Sequence, residues 1–273
     1  MGRSPRATKG PLVAPGDRAL LGSGPARRPV SGDTPMSLAL KLVLSPLLFA
    51  QAREARKRAP VLPEAIGPRE GQLGSGGSSL RLLIAGDSSA AGVGVQAQDE
   101  AFLGHFTRAL HKRSARPLRW RLRAKSGLTT REVHEMLRAD PPPAADIAIV
   151  LSGVNDVIDL IPPRRAVQHR AALADWLLAD GRARHVVYAA LPPINQFPLL
   201  PQPLRHIMGE DARRHDQAMA RWAAPLGNVH HVPISLQLSP AAMSRDGFHP
   251  GEPIYRACGE AVARFIAEHI IPT

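Results

Sequence analysis

Cysteine occurs once in the 273 residues, as Cys258, which excludes an internal disulfide and a cysteine-based zinc site. It falls in an amphipathic carboxy-terminal segment, where a small buried apolar side chain is a better account than a reactive thiol. Aromatic residues make up only 4% of the chain, so there is little on which bases could stack, and nucleic acid is not expected as a partner. No apolar run approaches the ~20 residues a helix needs to cross a bilayer. Acidic residues are scarce beside basic ones, 23 against 35. The imbalance is uneven, however: residues 1–80 hold 12 Lys and Arg to 5 Asp and Glu, and the remainder holds 23 to 18. Within the remainder Arg119, Arg121, Arg123 and Lys125 alternate with Leu118, Trp120, Leu122 and Ala124. That is the period-two pattern of a strand with one solvated face.

What is present is an ordinary core-forming share of apolar residues, 44%, arranged in three stretches of different character. Residues 1–35 are rich in Pro, Gly, Ser and Arg without apolar periodicity, and no packed structure is expected of them. Met36 then opens a segment resembling a natural amino terminus, about 14 apolar residues interrupted by Lys41 and Pro46 and followed by the basic run Arg53 to Arg58. Three readings of residues 36–58 stand open: a membrane-surface anchor with its leucines in the acyl boundary, a helix packed on the domain, and a signal peptide cleaved near Ala50-Gln51-Ala52. A cytoplasmic or peripheral membrane location is the first expectation and a secreted or periplasmic one the second. Residues 60–79 are again rich in Pro and Gly and end in Gly74-Ser75-Gly76-Gly77-Ser78-Ser79, a flexible linker by composition. The expected division is a low-complexity region over 1–79 and one folded domain over 80–273.

From residue 80 strand-like and helix-like runs alternate. Strands are expected near 81–86, 118–124, 146–152, 185–191 and 228–233, and helices near 101–114, 129–139, 165–180, 207–224 and 253–270. Nearly continuous apolar runs at residues 81–85 and 146–151 suit central parallel strands covered on both faces. Five strands alternating with helices imply a doubly wound α/β sheet, whose sites form beyond the carboxyl ends of the strands.

Four segments with chemical content fall at those ends. Gly86-Asp87-Ser88 follows the first strand, Gly127 the second, Gly153-Val154-Asn155-Asp156 the third, and Asp246-Gly247-Phe248-His249-Pro250 lies beyond the fifth. Ser88 is a nucleophile if a base removes its proton, and His249 is the candidate base, with Asp246 three residues earlier to orient the imidazole. The backbone N–H groups of Ser88 and Gly127 and the side-chain amide of Asn155 come from three strand ends and can form an oxyanion hole. Asp87 and Asp156 are expected to organise loops by hydrogen bonding. Ser89 offers a competing hydroxyl beside Ser88. His230 and His231, adjacent on a strand, point to opposite faces and make a poor metal pair. Gly92-Val93-Gly94 lacks the third glycine of a dinucleotide fingerprint.

These segments resemble the blocks of the SGNH hydrolase superfamily, the GDSL-type esterases and lipases, with Ser88, Gly127, Asn155 and His249 on the four residues of its acronym. The resemblance covers residues 80–271. It implies a flavodoxin-like α/β/α sandwich with a five-stranded parallel sheet, and hydrolysis of carboxylic esters, thioesters or acetylated sugars without metal or organic cofactor. Ser89 stands where the family name has leucine, a position outside the triad. The apolar loop over residues 192–201 reads equally as an acyl-pocket wall or a proline-braced connection. The expectation is a serine esterase acting on a small ester through Ser88, His249 and Asp246. A carbohydrate acetyl esterase and a noncatalytic membrane-attached binding protein on the same fold are the alternatives.

Overall fold

The computed structural model describes residues 38–58, 60–179 and 182–271. The expectations for residues 1–35 and for a start at Met36 lie outside the described residues.

The sheet grows from its centre outward. β2 (Leu80–Gly86) and β4 (Ile147–Leu151) are buried along almost their whole length, as their continuous apolar composition requires. They pair in parallel, Leu82 opposite Ile147 and Gly86 opposite Leu151. On one side β3 (Leu118–Ala124) adds parallel to β2; on the other, β5 (His185–Ala189) and β6 (Val229–Val232) follow in parallel. A sixth strand, β1 (Glu70–Leu73), closes the β3 edge antiparallel, so the order is β1-β3-β2-β4-β5-β6. The expected three-layer α/β/α sandwich is present, but its sheet has six strands rather than five, five of them parallel. β1 lies in the stretch read as a linker. Its sequence, Glu-Gly-Gln-Leu, buries almost nothing and shows no alternation, so it is held by pairing with β3 and by the Arg121 to Glu70 ion pair of 3.1 Å.

Two apolar layers sandwich the sheet. On one face Leu82, Ile84, Leu118 and Leu122 pack with α3 (Phe102–Ser114) and α8 (Glu252–His269), through Phe102, Phe106, Leu110, Val262 and Ile266. On the other, Leu83, Ala148, Val150 and Val186 meet α4 (Thr130–Ala139), α6 (Pro163–Leu178) and α7 (Leu204–Ala223). α4 begins with a capping box in which Thr129 and Glu132 satisfy each other's backbone N–H groups. A third apolar cluster contains Ala55, Val157, Ile194, Phe197, Leu200, Leu204, Ala212, Met243 and Ile254. It gathers helix and loop residues beyond the carboxyl ends of the strands, where the site forms.

α1 (Leu38–Arg58) precedes the sheet. Its carboxy-terminal half docks on the start of α7: Gln51 Nε2 donates to Gln202 O at 2.7 Å, Gln51 Oε1 accepts from Leu204 N at 3.2 Å, and Ala55 is buried. No helix among the described residues is long and apolar enough to cross a membrane.

Candidate active site

Ser88 begins the short helix α2 (Ser88–Ala91) directly after β2. The chain must turn sharply there, and Gly86 permits it: with φ +157°, any Cβ would lie 2.0 Å from Leu151 O. Asp87 then caps α2, its carboxylate accepting from Ser89 N at 2.9 Å, while its own N–H donates to Leu151 O at 3.0 Å. The Ser88 hydroxyl is thereby presented at the carboxyl edge of the central strands.

His249 arrives from the loop between β6 and α8. Its Nε2 lies 3.1 Å from Ser88 Oγ and its Nδ1 2.5 Å from Asp246 Oδ2. Asp246 is 5% exposed, yet its other oxygen accepts from Ser244 Oγ at 2.5 Å and from the N–H groups of Phe248 and His249, each at 2.9 Å. Burial alone would raise this carboxyl; the hydrogen bonds from His249, Ser244 and the backbone overcome it and hold the group well below the usual carboxylate range. Asp246 is therefore an anion at neutral pH, fixed against the ring nitrogen. The ring is braced by Phe248, 5.2 Å away and edge-on, which in turn meets Phe197 at 5.1 Å.

Gly127 and Asn155 complete the convergence. Both line one cavity of about 450 Å³ together with Ser88 and His249. Asn155, at the start of α5 (Val154–Ile158), donates one amide hydrogen to Leu128 O at 2.9 Å, which fixes the amide and leaves its second hydrogen unused by that bond. All five residues expected from sequence thus come together: Ser88, His249 and Asp246 in one hydrogen-bonded line, Gly127 and Asn155 on the cavity wall. Between the adjacent hydroxyls, His249 bonds to Ser88 and not to Ser89. The rest of the wall is largely apolar, with Phe197, Leu199, Leu200, Met208, Met243 and Ile254. Among the described residues no group of three or more His, Cys, Asp or Glu side chains is placed to hold a metal ion.

Asp156 was expected to organise its loop by hydrogen bonding, but its partners, and several other residues around the site, escaped sequence reasoning. Asp156 accepts from Thr130 N at 2.9 Å and Thr130 Oγ1 at 2.6 Å, and pairs at 3.3 Å with Arg170; both members of that pair are fully buried. They tie α5 to α4 and α6 behind Asn155. A signal existed, because Arg170 falls on the apolar face of α6 with Ala166, Leu173, Ala174 and Leu177. Glu64 and Arg69, which reach the Gly127 turn, carried none: they sit in a Pro- and Gly-rich stretch without periodicity.

A three-layer α/β sandwich with a serine, an imidazole and a carboxylate in line at the strand ends is suited to nucleophilic acyl transfer, and the family match below assigns the chain to the ester-hydrolysing enzymes. The profile of the GDSL-like lipase/acylhydrolase family matches residues 84–257, and the chain belongs to that family. A GDSL-like esterase of Mycobacterium tuberculosis is 28% identical over 232 residues, covering 77% of this chain and 72% of that protein. Among solved structures, a lipase from a goat rumen metagenome superposes with a TM-score of 0.57 at 19% identity, covering 70% of this chain and 98% of its own. A carbohydrate acetylesterase of Sinorhizobium meliloti gives 0.53 at 17% identity, covering 70% and 99%. At such identities the structural likeness establishes the shared fold.

Proposed function

We propose that this esterase works through an acyl-enzyme on Ser88. As Ser88 Oγ attacks the ester carbonyl, His249 Nε2 takes its proton and then delivers it to the departing alcohol oxygen. Asp246 holds the ring in the tautomer that leaves Nε2 free to accept, and stabilises the imidazolium once formed. The Ser88 and Gly127 N–H groups and the Asn155 amide take the negative charge that develops on the carbonyl oxygen. Water, deprotonated by His249, then attacks the acyl carbonyl; the bond to Ser88 Oγ breaks, His249 returns the proton to that oxygen, and the acid leaves. The observation that carries this reading is the unbroken line from Asp246 Oδ2 to His249 Nδ1 at 2.5 Å and from His249 Nε2 to Ser88 Oγ at 3.1 Å.

The apolar wall favours an acyl chain over an acetylated sugar as the group seated beside Ser88, since sugar hydroxyls would lose water there without gaining partners. A purely binding role would have no need for a hydroxyl, an imidazole and a buried carboxylate in register. We also propose that the exposed side of α1 touches a membrane surface: Phe49 is 73% exposed, and Arg53 and Lys57 on the same helix would meet anionic headgroups.

The test is hydrolysis of p-nitrophenyl esters from acetate to palmitate by the full chain and its Ser88→Ala variant. Loss of at least about 10³-fold in kcat is expected, with activity extending to medium chains. Retained turnover, or no turnover and no labelling by a fluorophosphonate in the folded native chain, would defeat the acyl-enzyme.

A further inference from the structure

The turn that carries Gly127 is not held by the strand it follows alone. Glu64 Oε1, from the segment between α1 and β1, accepts from both Ser126 N at 2.8 Å and Ser126 Oγ at 2.9 Å. Its other oxygen is ion-paired with Arg69, whose Nη1 donates to Ala124 O at 2.7 Å and whose own carbonyl accepts from Leu122 N at 2.6 Å. The last residues of β3 and the first of the turn are therefore gripped from outside the sheet. The same segment is tied to the helix bearing Ser88: Ala65 N donates to Ala91 O at 3.2 Å, and the buried Gln98 Nε2 bridges Ala65 O at 3.2 Å and Ala91 O at 3.0 Å. A short run of chain thus contacts both the nucleophile helix and the oxyanion turn, while Pro60, Val61 and Leu62 just before it line the cavity.

We propose that Glu64, with Arg69 behind it, is a positioning residue for the oxyanion hole, fixing Ser126 so that Gly127 faces the carbonyl oxygen attacked by Ser88. The inference rests on the acyl-enzyme reading above. Gly127 would otherwise be poorly restrained: it has φ +85° and no neighbouring atom within 4 Å of where a Cβ would stand. A glycine in open space keeps its orientation only if its neighbours are held, and oxyanion donors are effective only when already aimed. Ser126 is the neighbour, and both of its polar hydrogens go to one carboxylate oxygen. Burial alone would raise the Glu64 carboxyl; the Ser126 and Arg69 contacts outweigh it and lower the group, so the anion that grips the turn persists through the neutral range. Glu64 and Arg69 lie ahead of the family-matched residues 84–257.

The test uses the full chain with Glu64→Ala, Glu64→Gln and Ser126→Ala, assayed on one soluble p-nitrophenyl ester and with an alkyl trifluoromethyl ketone, which forms a tetrahedral adduct on the serine. Glu64→Ala should lower kcat by about 10- to 100-fold, less than the ~10²–10³-fold cost of deleting a donor outright, with KM within about twofold. The ketone's inhibition constant should rise in step with the loss in kcat. Glu64→Gln keeps an acceptor for Ser126 but gives up the charge opposite Arg69, so it should recover part of the loss. Ser126→Ala, an exposed change that spares the fold, should cost about 2- to 10-fold, less than Glu64→Ala, because only one of the two hydrogen bonds to the Glu64 carboxylate is lost and water can take its place at an exposed position. Unchanged kcat in a folded Glu64→Ala enzyme overturns the proposal. So does a loss of kcat with ketone affinity intact, because then the oxyanion hole is not what suffered. If Glu64→Ala does not fold, Ser126→Ala decides by the same two readouts. The Ser88→Ala assay judges the nucleophile separately: an enzyme dependent on Ser88 but indifferent to Glu64 and Ser126 would sink only this inference.

Discussion

Two carboxylates near Ser88 show how local bonding shifts the same group in opposite directions. Asp246 accepts four hydrogen bonds and is held low. Asp87, 2% exposed, accepts one from Ser89 N, and burial together with the Asp156 charge pushes it up to about 6, against partial relief from Ser89 and His249. A folded value above the ordinary 3.8 means that the protonated fold is the favoured one, so the contribution of Asp87 to stability is complete below about pH 3.8 and lost as pH rises through about 6. Asp87→Asn keeps the oxygen that caps α2 and removes the titration. Relative to the variant, the native chain should lose about 2 kcal/mol of unfolding free energy between pH 4.5 and pH 8. Denaturant unfolding at the two pH values measures this, and a difference independent of pH would show that Asp87 is not strained by its charge. At this scale the sequence was most legible where short motifs put chemically distinct residue types in order: Ser88, Gly127, Asn155, Asp246 and His249 all meet. It was least legible where no motif marks the residue, as with Glu64, which meets Ser126 62 residues away from within a patternless stretch.

At the scale of elements, the strands with strong apolar runs emerged where periodicity placed them, and β1 did not, because an edge strand of four mostly exposed residues carries no pattern. The loop over residues 192–201 is another case. Its composition was equally that of a wall or a brace, and the structure makes it both. Phe197, Leu199 and Leu200 line the cavity, Ile194 is fully buried beneath them, and Leu199 N donates to Gly247 O at 3.0 Å, linking this wall to the loop of His249. α7 comes up against it at Gly209, where a Cβ would lie 2.4 Å from Asn195 Cβ and 2.7 Å from Asn195 N. Alanine is the better helix former by about 1 kcal/mol, yet here it has nowhere to go. Gly209→Ala should therefore lower stability by about 1–3 kcal/mol and, by shifting the loop, flatten the acyl-chain preference. Calorimetry and the ester series check both; a stabilised variant with an unchanged profile would mean the loop moves away freely.

For the molecule as a whole, the contribution of the upstream chain changes most from the sequence expectation. We propose that the catalytic unit begins near residue 60 rather than at Leu80, since residues 60–73 supply cavity wall, oxyanion support and the edge strand. α1 is anchored on α7 through Gln51 while leaving Phe49 outward, which is compatible with packing on one side and lipid on the other. The Ser88→Ala full chain should co-sediment with vesicles containing anionic lipid and much less with purely zwitterionic ones; Phe49→Ser should weaken binding several-fold, about what loss of one buried aromatic allows. Equal absence of binding to both vesicles would reject the membrane contact.

By itself the sequence determined the alternation of strands and helices, hence the α/β sandwich, and the set of candidate site residues at the strand ends, because burial periodicity and chemical type are properties of a residue and its near neighbours. Only the tertiary structure decided that Ser88 rather than Ser89 meets His249, that Arg170 neutralises Asp156 inside the core, and that a pattern-free stretch joins the sheet and grips the Gly127 turn. Each of these depends on distances between residues far apart in the chain, and an isolated glutamate in a proline-rich run has no local property that announces its partner.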